Sequence, residues 1–379
     1  MDTPSIDAFG LPSDHGGKDL GIFMPIANGG WILSSTAPTI DASYAYNREA
    51  ALIAEEIGLD FIMSMAKWRG YGGATNHWNT ALDSQILMTA LAVETKRVKI
   101  WTTVQTLLQN PAVTAKMIAT LDQISHGRAG LNVVPGAYRG EFEQMGAWPA
   151  DIGHDERYEL ATEWIQAVKR LWTEKSVTQE GRFFTLRDCQ SEPKPVQKPR
   201  PFIVAAGMSE RGMRFTIEQT DAIFVGGRDD DELRKVSRDA KAMALAAGRR
   251  LRTYSMLILV IEDSDEAAAV TLAHYREGFD EEAFRGMMRS YGMIDAEIGK
   301  ENAFTARARS GLMAPHAEGC AETIIRRMIH LIENCELDGL MLIFPDYISG
   351  LKRFGAEILP ALRAHFEPHA AEIAGVEIA

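Results

Sequence analysis

The sequence predicts an α/β protein built as a (β/α)8 TIM barrel with insertions, and two observations carry that reading. Eight short apolar runs of four to seven residues recur along the chain, the length of strands buried on both faces. Between them, apolar residues recur at three- and four-residue spacing, the mark of amphipathic helices. Repeated strand and helix alternation favours a closed parallel barrel; an open doubly wound sheet is the alternative. In such a barrel the chemistry gathers where the strands end.

The predicted strands are 20–26, 59–64, 98–104, 129–134, 202–206, 222–225, 256–261 and 340–344. After the third, Val113, Met117, Ile118, Leu121 and Ile124 share a helical face, Asn110 and Pro111 supply an N-cap and first-turn proline, and Gly127 follows the end. After the fourth, Ala161, Ile165, Val168 and Trp172 repeat in the same way. After the sixth come Leu233, Val236, Ala240 and Met243, opened by Asp229, Asp230, Asp231 and Glu232, whose charge suits a helix N-terminus. Two stretches interrupt the alternation. SVTQEGRFFTL reads as a short β excursion, with the proline-rich SEPKPVQKPRP as its extended return. The long charged segment 276–318 reads as a lid or excursion over the site. The chain is expected to form a single domain over 1–379, with 1–18 as an N-terminal tail.

With 46% hydrophobic residues, a chain of 379 residues buries one large core. The net charge of −12 argues against nucleic acid or an anionic membrane as the main partner. No run of 18 apolar residues exists, and the polar start MDTPSIDAFGLPSDHGG is not a secretory signal, so a cytoplasmic protein is expected. Cys189, Cys320 and Cys335 lack ligand spacing and read as buried thiols in a reducing compartment; no metal site is expected.

Polar residues recur at the predicted strand ends. Lys67 follows the second strand in SMAKWRGYGG, beside Arg69 and three glycines; alone it reads equally as a site cation or a solvated lysine. Thr103 ends the third strand, where threonine is commonplace. Asn132 lies inside the fourth, where asparagine is depleted and a buried amide must find partners. Glu141, Arg157 and Tyr158 follow it, the last two opening a helix, where they bind an anion or decorate a helix start. VAAGMSERG and VGGR place Ser209 among glycine turns, a cradle of backbone N–H groups suited to phosphate or a pair of ordinary turns. The spacing fits no P-loop and no G-x-G-x-x-G fingerprint, so a nicotinamide dinucleotide site is not indicated.

Taken together, GIFMPIANGGWILSSTAP, SMAKWRGYGG, KMIATLDQISHGRAGLNVVPG, GEFEQMGAWP, HDERY, AAGMS and FPDYISGLKRFGAEILPAL resemble the bacterial luciferase-like flavin monooxygenases, most closely the pyrimidine monooxygenases, from about 21 to 362. The resemblance implies FMN contacts at Ala66, Lys67, Asn132, Glu141, Arg157, Tyr158 and Ser209, and an oxygen pocket at Thr103 and Asn132 with Met63 on its wall. It also implies a reaction of FMNH2 and O2 on a pyrimidine or other cyclic amide, with ring opening through a flavin peroxide. In that reaction Thr103 and Asn132 steer oxygen, Lys67 stabilises charge on the attacked carbonyl and Glu141 accepts a hydrogen bond from a ring N–H. The missing dinucleotide motif adds a separate NADH-dependent reductase, and a homo-oligomer is expected. One departure bears on substrate. Where the pyrimidine enzymes carry tryptophan in G-W-x-x-x-E, this chain has Ala137 and then Tyr138, so the substrate is either bulkier than uracil or Tyr138 replaces the ring. The other readings are an organosulfur or alkanesulfonate monooxygenase, using Arg69, Arg139, Arg307 and Arg309 on an anion; a deazaflavin reductase; and a flavin-binding protein without turnover.

Overall fold

The computed structural model describes residues 17–136, 138–149, 151–291 and 311–374, with side chains described as far as 366. In chain order the strands are β1 (Asp19–Phe23), β2 (Phe61–Met63), β3 (Lys99–Gln105), β4 (Ala129–Val134), β5 (Val177–Glu180), β6 (Thr185–Cys189), β7 (Phe202–Ala205), β8 (Ala222–Phe224), β9 (Arg252–Ile261), β10 (His316–Gly319) and β11 (Gly339–Ile343). The strands β1, β2, β3, β4, β7, β8, β9 and β11 pair in that order, all parallel, and β11 returns to β1 to close a TIM barrel. All eight predicted runs are barrel strands. They read as unbroken apolar stretches because each is covered by helices outside and side chains inside.

The helices are α1 (Tyr44–Ile57), α2 (Ser84–Glu94), α3 (Pro111–Ile124), α4 (Arg139–Glu143), α5 (His154–Thr173), α6 (Glu210–Gln219), α7 (Asp230–Ala246), α8 (Asp265–Glu277), α9 (Glu281–Ser290), α10 (Ala321–Asn334), α11 (Tyr347–Arg353) and α12 (Leu359–Ala374). Their starts follow local chemistry: Asn110 caps α3 with proline behind it, and the Asp229 carboxylate accepts from Glu232 N to open α7. β5 and β6 form the expected antiparallel hairpin outside the barrel.

The predicted helix faces need correction. Val113, Met117 and Ile124 are 53%, 39% and 37% exposed and Met243 is 48% exposed. On α3 the inward face is Thr114, Ala115, Ile118, Ala119, Leu121 and Asp122. The apolar stripe is wider than the arc the barrel covers, and small residues occupy the contact because they let the helix approach the sheet. Among the cysteines only Cys335 is buried; Cys189 and Cys320 are partly exposed. The predicted lid contains α9 and β10, the latter pairing with β9 as an added strand; its 292–310 portion lies outside the described residues, as do 1–16 of the predicted tail. No described helix is long and apolar enough to cross a membrane.

Aromatic rings floor the site. Phe61 and Trp101 stack at 4.0 Å, with Phe202 and Tyr254 against the indole. Opposite Trp101 in the β3–β4 register stands Gly130, where a Cβ would lie 2.3 Å from the indole, so glycine is required for the ring to fill the barrel. At the N-terminal end of the strands, carboxylates pair with cations: Asp19 with Arg252 at 2.6 Å, Asp60 with Arg363 at 2.9 Å, Asp221 with Arg200 at 2.6 Å and Asp338 with Lys241 at 2.8 Å.

Candidate functional site

Above that floor, at the C-terminal ends of the strands, lies a cavity of about 440 Å³. Met63, Ala66, Lys67, Thr103, Asn132 and Tyr138, six residues singled out in the sequence, all line it. Thr103 and Asn132 face each other in the β3–β4 register, and Asn132 Nδ2 donates to Thr103 Oγ1 at 2.9 Å. The Thr103 hydroxyl in turn donates to the Ser64 carbonyl, while its backbone N–H donates to Ser84 Oγ at 2.9 Å. Asn132 is 7% exposed and its Oδ1 has no hydrogen-bond partner among the described residues. Its amide is therefore oriented from one side and vacant on the other.

Lys67 is buried, with Nζ 3.6 Å from Glu141 Oε1, ion-pair range but too long for a hydrogen bond. Glu141 Oε1 is already held by the backbone N–H groups of Trp68 and Arg69, the latter at 3.1 Å, and Oε2 is unpartnered. The ammonium sits over Tyr138 at 3.9 Å and Tyr71 at 4.6 Å from the ring centroids. Burial pushes the Lys67 pKa down to about 8 despite the opposing pull of Glu141. Tyr138 shares a hydrogen bond of 3.0 Å with the Tyr291 hydroxyl at the end of α9. Thus Tyr138 reaches into the space beside Lys67. Ala137 lies outside the described residues.

Ser209, next in sequence to Met208 of the cavity wall, and Tyr158 form a second group, with Arg157 preceding Tyr158 on α5. Ser209 caps α6, its Oγ accepting from Gly212 N at 3.1 Å. The approach is close: a Cβ on Gly212 would lie 2.6 Å from the Tyr158 hydroxyl, and one on Gly207 2.6 Å from the Gly212 carbonyl. Arg157 stacks on Trp148 at 4.7 Å. The N–H groups of a helix start with the Ser209 and Tyr158 hydroxyls beside them suit an anion.

Sequence reasoning missed several residues. Trp31 and Trp78 wall the cavity, and Trp78 Nε1 donates to the Gly30 carbonyl at 2.6 Å. Asn76 and Trp78 hold φ of 46° and 57°, a left-handed conformation costly for an indole-bearing residue. Between them His77 is fully buried, and burial lowers its pKa to about 3, so it is neutral. Gln105 lies one pleat beyond Thr103, 2% exposed, with Oε1 unpartnered. The signal available for it was the one used for Asn132, a polar amide near a strand end. Of the other predicted residues, Arg69 touches the Gly140 carbonyl at 3.4 Å, and Arg139 pairs with Glu143 at 2.6 Å on the surface.

The luciferase-like monooxygenase family model matches residues 19–334. The pyrimidine monooxygenase RutA of Methylorubrum extorquens (strain AM1) is 34% identical over 358 residues, spanning 91% of this chain and 96% of the relative. Among solved structures, a long-chain alkane monooxygenase (LadA) superposes with TM-score 0.81 at 20% identity, covering 93% of this chain and 92% of its own. A riboflavin lyase (RcaE), solved with modified FMN and riboflavin, gives 0.79 at 22% identity, covering 92% of each chain.

Proposed function

Since the chain belongs to the luciferase-like monooxygenase family of flavin-dependent oxidoreductases, we propose that it oxygenates and opens a pyrimidine or related cyclic amide, using FMNH2 and O2. The observation that carries this reading is a set of buried polar atoms without hydrogen-bond partners among the described residues: Lys67 Nζ and Asn132 Oδ1 on the lining of one largely apolar cavity, and Glu141 Oε2 on the carboxylate beside Lys67. Leaving such groups unmet costs roughly 1–3 kcal/mol each, and a ligand rich in ring N–H and C=O groups meets them. The residues present fit FMN: Ser209, Tyr158 and Arg157 would hold its phosphate, and Ala66, Lys67, Asn132 and Glu141 its ring. Bound and reduced, that ring supplies the electrons that oxygen needs.

This chain's side chains do the rest. The Thr103 hydroxyl hydrogen is committed to the Ser64 carbonyl, so Thr103 acts by accepting from Asn132 and fixing its amide. The second Nδ2–H of Asn132 is then the donor to oxygen. The Lys67 ammonium, held by aromatic faces rather than a full hydrogen-bonded pair, stabilises negative charge developing on a substrate carbonyl. Glu141 Oε2 accepts from a substrate N–H while Oε1 keeps its backbone donors. Trp31, Trp78, Met63 and Tyr138 keep water out.

No dinucleotide fingerprint occurs, so a separate NADH-dependent reductase supplies the reduced flavin, which calls for the cytoplasm. The described start of the expected lid is tied to the Lys67 loop: Asp280, which caps α9, accepts from Thr75 N and Oγ1 at 2.7 Å. Ile86, Val93, Val113, Met117 and Ile124 make an exposed apolar face on α2 and α3 that suits a homo-oligomer. An anionic sulfonate fits less well, because Lys67 is the cation among the described lining residues and Arg307 and Arg309 lie outside them. Incubation with FMN, NADH, a flavin reductase, uracil and 18O-labelled O2, followed by mass spectrometry, tests the proposal. A ring-opened product carrying the label is expected. Consumption of O2 wholly as hydrogen peroxide, across uracil and bulkier cyclic amides, would overturn it.

A further inference from the structure

Along β3, Trp101, Thr103 and Gln105 alternate with outward residues and so point inward. Their partners on β4 are Gly130, Asn132 and Val134. Trp101 fills the floor, Thr103 holds Asn132, and Gln105 stands about 7 Å above Thr103, toward the mouth. It lines the cavity, is 2% exposed, and leaves Oε1 without a partner. Its opposite number, Val134, cannot supply one. Among the described residues nothing accounts for this amide: the turn after β3 is held by the Gln105 backbone carbonyl, which accepts from Leu108 N at 3.1 Å, and a leucine or methionine there would pack without leaving an acceptor unmet. A carboxamide carries an acceptor and a donor side by side. That pair is the complement of a cis-amide edge, H–N–C=O within a ring, which both the pyrimidine ring of a flavin and a uracil-like substrate present.

We propose that Gln105 is a recognition residue that pairs in two-point fashion with the cis-amide edge of a ring bound in the cavity, Oε1 accepting from the N–H and Nε2 donating to the C=O. The inference rests on the flavin and cyclic-amide reading above and extends it to a further acceptor besides Glu141 Oε2 and Asn132 Oδ1. Besides Asn132 Oδ1, the unpartnered acceptors Glu141 Oε2 and Gln105 Oε1 each call for an N–H donor. One is read near Lys67, the other toward the mouth at Gln105.

Binding measurements on the whole protein test it without turnover. FMN is titrated by fluorescence quenching, and uracil by calorimetry into the FMN-saturated protein, for wild type, Gln105→Met and Gln105→Glu. Gln105→Met is expected to weaken one of the two ligands about tenfold, the effect of one lost buried acceptor, and to leave the other within about twofold. Weakened FMN assigns the edge to the flavin; weakened uracil with unchanged FMN assigns it to the substrate. Gln105→Glu keeps the acceptor and restores part of the loss. Methylated ligands give the same answer on wild type should the variants fold poorly: N3-methyl-FMN or an N-methyluracil should bind wild type about tenfold more weakly than its parent. Unchanged affinity in Gln105→Met for every ligand that wild type binds, or methylated ligands binding wild type as tightly as their parents, overturns the role of Gln105 alone. A wild type that binds neither FMN nor uracil overturns the flavin reading, and this inference with it.

Discussion

At the N-terminal end of the barrel, Asp19, Asp60, Asp221 and Asp338 each face a cation at 2.6 to 2.9 Å. At the C-terminal end, Lys67 and Glu141 stand 3.6 Å apart, and the buried Lys67 Nζ, Glu141 Oε2, Asn132 Oδ1 and Gln105 Oε1 have no hydrogen-bond partner among the described residues. Both ends bury charge, so burial alone does not distinguish them. The difference is whether hydrogen-bonding capacity is spent. Spent, it fixes the strands in register. Unspent, it costs stability that only a ligand recovers, which is why the two ends should answer mutation in opposite ways.

The largest effect is expected at the paired end. Asp221→Ala takes the paired carboxylate from the largely enclosed Arg200 guanidinium and also removes the acceptor for Ile203 N at 2.9 Å. Breaking such a pair costs on the order of 3–5 kcal/mol, read as a fall in denaturation midpoint, with FMN affinity of the folded fraction unchanged. If stability holds, the contrast between the ends is not one of pairing.

Next comes Lys67→Met. Catalytic efficiency should fall by about a hundredfold, the scale of losing a preorganised charge, while the thermal midpoint stays level or rises. pH sharpens the point. The folded pKa of about 8 lies below the ordinary lysine value of 10.5, so Lys67 is charged below about pH 8 and neutral above it. Wild-type kcat/KM should therefore decline as pH rises through about 8. Because the unfolded chain binds the extra proton between those two values, wild-type stability should gain across that window. Both trends should vanish in Lys67→Met; persistence of either would assign it to another group.

The smallest effect belongs to Tyr138→Phe. It removes the hydroxyl contact with Tyr291 but keeps the ring over Lys67. A loss of about 1 kcal/mol is expected, seen as a few-fold rise in KM with the pH profile unmoved. A shift in the pH limb would mean that the phenol itself tunes Lys67.

The eight strands were legible because a strand covered on both faces must be apolar throughout, and helix starts at Asn110 and Asp229 were legible because caps act over two or three residues. The inward face of α3 was not, since Val113 and Met117 continue an apolar stripe that the barrel leaves uncovered. Within the candidate site, Asn132 stood out by type and position, whereas Lys67 was singled out only with the family resemblance beside its position. Tyr291, Trp78 and Ser84 did not stand out: tyrosine, tryptophan and serine are unremarkable as letters, and their roles depend on contacts 153, 48 and 19 residues away in sequence.

By itself, then, the sequence determined the strand and helix alternation, the parallel closure that follows from it, and the family resemblance carried by its motifs, since periodicity and short motifs are local properties of a chain. The tertiary structure alone decided which polar atoms are spent and which remain. Whether Asp221 meets Arg200, or Lys67 falls short of Glu141, depends on distances set by packing between strands far apart in sequence, and a difference of one ångström separates a structural ion pair from a group held ready for a ligand.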